Sequence, residues 1–390
     1  MRTETGIGLA ERMERLGTES AFDILMRARA LEAQGREVVH LELGEPDFDT
    51  PEHIIEAGVE ALRSGQTHYT PAAGIPELRN AIAAYVSRTR EVEVGPERVV
   101  VTPGGKPIMF FTIMALAGPG DEVIYPDPGF PIYESVVNFV GATPVPLTLR
   151  EERAFAVDPD ELRSLVSDRT KLIIINSPHN PTGGIIPGGA LDEIAAIAAE
   201  RNIMVLSDEI YSQIIYEGEH ESIITRPGML DRTVILDGFS KTYAMTGWRL
   251  GYGIFPPSLA EQVTRLAINC TSCVPRFTQL AGVAALTGPH EPVARMVEEF
   301  RRRRDAVVDG LNRIPGVSCI TPPGAFYVFP NVSVLGDSAE IASLLLNTGG
   351  VALLNGGAFG RGGVGYLRLS YANSLENLEK ALHRMRETLA

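Results

Sequence analysis

Regular patterning starts with residues 21–36, AFDILMRARALEAQGR, which read as a helix ending near Gly35. An extended stretch, VVHLELGEPDF, and a turn rich in Pro and Asp follow, then a helix from about 52 to 64. The loop HYTPAAGIPELR leads into another helix through 88. From there short apolar runs alternate with longer helical segments. The runs are ERVVVT, DEVIYP, TPVPL, KLIIIN, IMVLSD, TVILDG and the weaker RLGYGIF; the helices fall near 105–117, 131–139, 159–166, 190–201 and 258–266. Such alternation predicts an α/β fold with a central, mostly parallel or mixed sheet between helices. Thr102, Asn176, Ser207-Asp208 and Asp237 end four of the runs, and ligands of such sheets bind beyond the carboxyl ends of the strands.

After a helical segment at 276–286 the character changes. Residues 291–313 form a long arginine-rich helix whose apolar positions Val293, Val297, Phe300, Val307 and Leu311 mark a buried stripe. Its RRRR run is expected on a solvated face. Strands SCI, AFYVFPNV and GYLRLSYA, with helices near 338–347 and 374–388, predict a smaller α/β unit. The expected organisation is therefore an N-terminal segment 1–45 packing with the small domain, a large domain 46–287 and a small domain 288–390.

With 390 residues, 44% hydrophobic and 22% charged, two domains are expected and disorder is not. Asp plus Glu outnumber Lys plus Arg, 49 to 35, and a formal charge of −14 argues against nucleic acid or an acidic membrane as partner. The N-terminus lacks a signal-peptide pattern and no apolar run approaches the roughly 18 residues of a spanning helix, so a cytoplasmic protein is expected. Cys270 and Cys273 form a C-x-x-C, but no second pair or nearby histidine completes a metal site, so they are read with Cys319 as ordinary thiols. The seven histidines are scattered, and no metal is expected.

Several residues carry candidate chemistry. In TPGGKPIMF a strand ends, two glycines turn and a helix opens with free N–H groups, which suits a phosphate or is simply a connection. Asp208, at the end of IMVLSD, suits a protonated ring nitrogen, a base or a helix cap. Asn180 sits in a loop stiffened by Pro178, Pro181 and Gly183. Lys241, following the strand TVILDG with Arg249 eight positions on, suggests an activated amine beside an anion clamp, although a surface lysine beside a loop is the plain alternative.

The segment GFSKTYAMTGWRLG, residues 238–251, together with N-P-T-G at Asn180, D-E-x-Y at Asp208 and Tyr211, and Y-x-R-x-S at Arg368, resembles the pyridoxal-phosphate-dependent aminotransferases of class I/II, fold type I. The resemblance runs from about Ala21 to the C-terminus and points to the aspartate/alanine/aromatic group. It implies that Lys241 forms a Schiff base with pyridoxal 5'-phosphate, that Asp208 pairs with the ring nitrogen, and that Asn180 and Tyr211 bond to the ring oxygen. Backbone N–H groups of Gly105 and Lys106, with Ser240, Arg249 and Tyr69 of a second subunit, would hold the phosphate. Phe130 would stack on the ring, while Arg368, helped by Gly44 and Asn180, would grip the substrate carboxylate.

The implied reaction is ping-pong transfer of an amino group from an L-amino acid to a 2-oxo acid, 2-oxoglutarate or pyruvate, by a homodimer. A C–S β-lyase, a racemase or a decarboxylase would use similar groups; a regulator or binding protein without catalysis is the alternative of another class. The apolar helix PIMFFTIMALAG tilts the expected specificity toward monocarboxylic or mixed substrates, with Arg276 as a rival ligand for a distal carboxylate.

Overall fold

The computed structural model describes residues 8–390, so the first seven positions of the segment expected over 1–45 lie outside the described residues. Near the N-terminus α1 (Ser20–Glu32) precedes β1 (Val39–His40), followed by α2 (Glu52–Arg63) and α3 (Pro76–Arg90). The main sheet is built from β2 (Val99–Thr102), β3 (Glu122–Asp127), β4 (Thr143–Thr148), β5 (Thr170–Asn176), β6 (Met204–Asp208), β7 (Thr233–Gly238) and β8 (Gly251–Ile254). Between them run α4 (Lys106–Leu116), α5 (Ile132–Val140), α6 (Pro159–Leu165) and α7 (Gly188–Glu200), and α8 (Pro257–Cys270) and α9 (Arg276–Thr287) follow. The strand order is β2-β8-β7-β6-β5-β3-β4, and β8 alone runs against its neighbours.

The sequence explains this order locally. β4 carries Pro144 and Pro146 and takes an edge, where a missing N–H leaves one side of the ladder intact. β5 is apolar at four successive positions because both faces are covered: Leu172 and Ile174 join the core under α4, α5 and α8, whereas Ile173 and Ile175 join the core under α6 and α7. Each such side chain contributes about 1.5–3 kcal/mol on burial, so a one-residue slip of register would be strongly disfavoured.

The C-terminal part comprises α10 (Glu291–Asn312), β9 (Tyr327–Val328), α11 (Ser338–Leu344), β10 (Val351–Ala352), β11 (Leu354–Asn355), β12 (Leu367–Ser370) and α12 (Leu375–Leu389). β1 pairs in parallel with β10, and Ala28 of α1 packs with Leu346 and Ala352, so the N-terminal segment is stitched to this part. Two expectations need correction. SCI is no strand but a single bridge from Ser318 to Asn331, and AFYVFPNV pairs in ladder only at Tyr327–Val328. The RRRR run is only half solvated, since Arg303 and Arg304 are buried. Arg303 meets Asp47 at 2.7 Å and Glu299 at 3.0 Å with its guanidinium over Phe48, and Arg304 meets Glu217 and Asp305 over Tyr216. A weakly hydrated planar cation that stacks on rings tolerates burial in a way a periodicity count does not register.

His40 bridges Glu42 at 2.8 Å and Glu32 at 3.1 Å, and the bond to Glu42 raises its pKa from 6.5 to about 9. A raised folded-state pKa contributes stability that is present below the unfolded value of 6.5 and is lost as pH rises through about 9. The difference in urea midpoint between wild type and His40→Gln should therefore shrink between pH 6.5 and pH 9; a difference independent of pH would contradict this.

Candidate active site

Beyond the carboxyl ends of β5, β6 and β7 lies a cavity of about 580 Å³. Every residue expected at the site except Tyr69 and the rival ligand Arg276 lines it: Gly44, Gly105, Lys106, Phe130, Asn180, Asp208, Tyr211, Ser240, Lys241, Arg249 and Arg368. These come from widely separated parts of the chain, the sheet supplying Asp208, the turn after β7 Ser240 and Lys241, and β12 Arg368.

Lys241 projects its Nζ onto the carbonyl oxygen of Gly44. Burial lowers its pKa from 10.5 to about 8; Arg249 and Arg368 push the same way and Glu45 opposes them. Asp208 receives the Tyr133 hydroxyl at 2.6 Å and the N–H of Ile210 at 3.3 Å. Burial raises its pKa to about 6 despite these bonds, with Asp237 and Glu209 adding to the rise. One cavity thus pushes an amine down and a carboxylate up, bringing both toward the range in which protons move at neutral pH.

The glycine turn expected before α4 is present. Gly105 caps α4, so its N–H and that of Lys106 lie at the open end of the helix. Gly104 has φ +89°, and a Cβ there would fall 2.3 Å from Nη2 of Arg249. Arg249 itself has φ +54° and donates from Nη1 to Thr246 O at 2.9 Å, so its guanidinium is drawn against the turn. The side chain of Lys106, expected only for its amide, also lines the cavity and pairs with Glu19 just before α1. That places a cation at a wall the apolar helix pattern had marked as uncharged.

Arg368 is buried, donates from Nη2 to the carbonyl of Glu42, and lies between Tyr327 and Phe359, 4.7 and 5.2 Å from their ring centres. At the cavity wall the hydroxyl of Tyr211 bonds to that of Tyr327 at 2.8 Å. A Cβ on Gly44 would come within 2.1 Å of the Tyr327 hydroxyl, so glycine there admits the tyrosine pair. Tyr133, Tyr327 and Glu19 are site residues that sequence reasoning missed. Tyr133 lies three residues after Phe130 in PDPGFPIY and Tyr327 in a predicted strand, yet neither has a charge or spacing that marks it.

Two expected ligands stand apart. Tyr69 is 92% exposed and lies outside the cavity of its own chain. Arg276 donates to Gln66 at 2.6 Å and faces Glu77 at 3.5 Å, also away from the cavity, so the proposed rival carboxylate ligand has other partners. Among the described residues no group of His, Cys, Asp and Glu is arranged to hold a metal.

The family profile for "Aminotransferase class I and II" matches residues 36–385. An aspartate aminotransferase of Musicola paradisiaca is 37% identical over 385 residues, covering 98% of this chain and 96% of the relative. The chain belongs to this family. The aspartate aminotransferase of Thermus thermophilus with maleate superimposes with a TM-score of 0.94 at 38% identity, covering 98% of this chain and all (100%) of the other. An aromatic aminotransferase of Pyrococcus horikoshii gives 0.91 at 38% identity and 98% coverage of both chains. The protein is a fold-type-I, pyridoxal-phosphate-dependent aminotransferase that works by a ping-pong mechanism, as the resemblance implied.

The aminotransferase's own residues fit the cofactor. Asn180 Oδ1 and Arg368 Nε are buried without a hydrogen-bond partner, a state that costs about 1–3 kcal/mol for a neutral amide and more for a guanidinium unless a ligand supplies the bond. A Cβ on Gly251 would come within 2.6 Å of the Gly105 nitrogen, so paired glycines keep the anion turn open. Because the lowered pKa of Lys241 is about 8, acetylation of its peptide in the cofactor-free aminotransferase should rise with a midpoint near pH 8. A midpoint near 10.5, the ordinary lysine value, would show that the cavity does not perturb the amine.

Proposed function

We propose that Lys241 is the amine that carries the cofactor and moves the substrate's α-proton, and that the remaining expected residues act as binders around it. The observation that carries this reading is a half-buried lysine of lowered pKa sharing one cavity with a buried arginine whose Nε has no partner and with a buried carboxylate. When bound, pyridoxal phosphate supplies an aldehyde that links reversibly to amines and a ring that accepts the electron pair left by the departing proton.

Lys241 Nζ takes the α-proton in its neutral form, which a pKa of about 8 makes available, and returns it from its charged form. Asp208 stays ionised opposite a protonated ring nitrogen, which would draw its raised pKa back down. Arg249, Ser240 and the amides of Gly105 and Lys106 bind the phosphate, whose charge of about −1.5 to −2 calls for several donors and a cation. Arg368 presents a planar fork to the substrate's α-carboxylate, assisted by Gly44 and Asn180; Phe130, Asn180 and Tyr211 orient the ring.

The cavity lining includes Phe22 and Met109 together with the Lys106–Glu19 pair, which supports mixed specificity for apolar and acidic amino donors with 2-oxoglutarate or pyruvate as acceptor. The exposure of Tyr69 away from its own cavity supports a homodimer in which the partner subunit's Tyr69 completes the phosphate site. We place the division between units at 46–287 and 288–390, with residues 1–45 attached to the smaller. No helix among the described residues is long and apolar enough to cross a membrane, and we assign the protein to the cytoplasm.

Lys241→Ala should lower kcat for transamination by about 10²–10⁴ or more, the range of a lost general base. In steady-state assays Arg368→Lys should raise KM for the amino donor about tenfold or more, because a point cation replaces a bidentate fork. Activity of Lys241→Ala within about twofold of wild type would remove that lysine from the reaction.

A further inference from the structure

We infer that Asn176 is a positioning residue whose side-chain amide fixes Asn180 relative to Asp208, the two groups that address different edges of the cofactor ring. This rests on the reading of the site given above. Asn176 ends β5, is 3% exposed, and is the register partner of Asp208 at the end of β6. Its Nδ2 donates to Asp208 O at 2.9 Å and to Pro178 O at 3.1 Å, and its Oδ1 accepts the N–H of Asn180 at 2.8 Å. The amide can lie only one way, since two carbonyl oxygens require the NH₂ end and one N–H requires the oxygen. Both hydrogens and the oxygen are therefore engaged within the chain. Asn176 borders the cavity yet has no donor left for a ligand, which separates it from the cofactor-binding residues.

The loop it braces is tied on either side of Asn180 but has few other ties at Asn180 itself. Pro178 and Pro181 have no N–H to give. Backbone bonds anchor Ser177 to Asp208, His179 to Gly184, Gly183 to His179 and Gly324 to Gly183, and the Ile186 N–H donates to Ser177 Oγ, whereas the N–H of Asn180 itself goes to Asn176 Oδ1. The Asn180 side chain offers no tether either, because its Oδ1 is buried without a partner. One side-chain amide therefore ties the Asn180 N–H to the strand end that presents Asp208, beside the backbone bond from the Ser177 N–H to Asp208 O.

Two variants separate the arms of this link. Asn176→Asp keeps an acceptor for the Asn180 N–H but loses both donors and turns a negative oxygen toward two carbonyls; Asn176→Ala loses all three bonds. In cofactor-free protein followed by hydrogen exchange, the Asn180 amide should exchange at least about tenfold faster in Asn176→Ala than in wild type and be far less affected in Asn176→Asp. With pyridoxal phosphate bound, both variants should shift the pH midpoint of the cofactor's visible band by about 0.5 or more and lower kcat about tenfold, with KM for the amino donor changed less than about threefold. A lower melting temperature with an unmoved midpoint and kcat within about twofold would reduce Asn176 to a structural residue and overturn the proposal. Should the variants fail to fold, the wild-type chain still decides: the Asn180 amide must exchange as slowly as those of β5, and exchange at open-loop rates overturns the strut. Wild-type protein that takes up no pyridoxal phosphate would instead sink the reading of the site, while the cofactor-free exchange measurement still judges Asn176.

Discussion

The parallel ladder joining β5, β6 and β7 is the constraint on which the site depends. It sets Asn176 beside Asp208 and Asp208 beside Leu236, so the strands finish at one level and their following loops open into one space. Because side chains alternate with a period of two, the register that buries Ile173 and Ile175 against α6 and α7 is also the register that aims Asp208 at the cavity. Apolar burial thereby fixes the position of a polar group it never touches. β8, running against the rest, closes the remaining side and brings Gly251 against Gly104 and Gly105.

Behind this surface the strand ends are braced by charge. Arg90, at the end of α3, donates to Glu209 at 3.1 Å, to Asp237 at 3.0 Å and to Ser212 at 3.0 Å, all of them buried. Such a network is expensive to break, since removing one partner leaves a charge without compensation. It is well supplied with partners, unlike the cavity in front, where Arg368 and Asn180 keep unfilled valences. The contrast separates polar groups that hold the fold from polar groups held ready for a ligand.

The alternation of apolar runs and helices made the layered α/β architecture legible, because strands covered on both faces are continuous blocks of apolar residues. Lys241, Asp208, Asn180 and Arg368 were legible through their motifs, and the fold gathers them in one cavity. Tyr133 and Tyr327 were not, since what matters is where their hydroxyls point, to Asp208 and to Tyr211, and that depends on packing between elements distant in sequence. The burial of Arg303 and Arg304 escaped for a related reason: the rings and carboxylates that accommodate them include Phe48 and Asp47, some 250 positions away in the chain. The two-residue strands β10 and β11 are too short to carry any period of their own.

The account turns on which side chain bears the cofactor. Incubating the purified protein with pyridoxal phosphate, reducing it with borohydride and mapping the modified peptide by mass spectrometry tests this most directly. The account predicts one stoichiometric modification, on the peptide containing Lys241, that an added amino donor suppresses. Modification at another lysine, such as Lys106 or Lys171, or none at all, would contradict it.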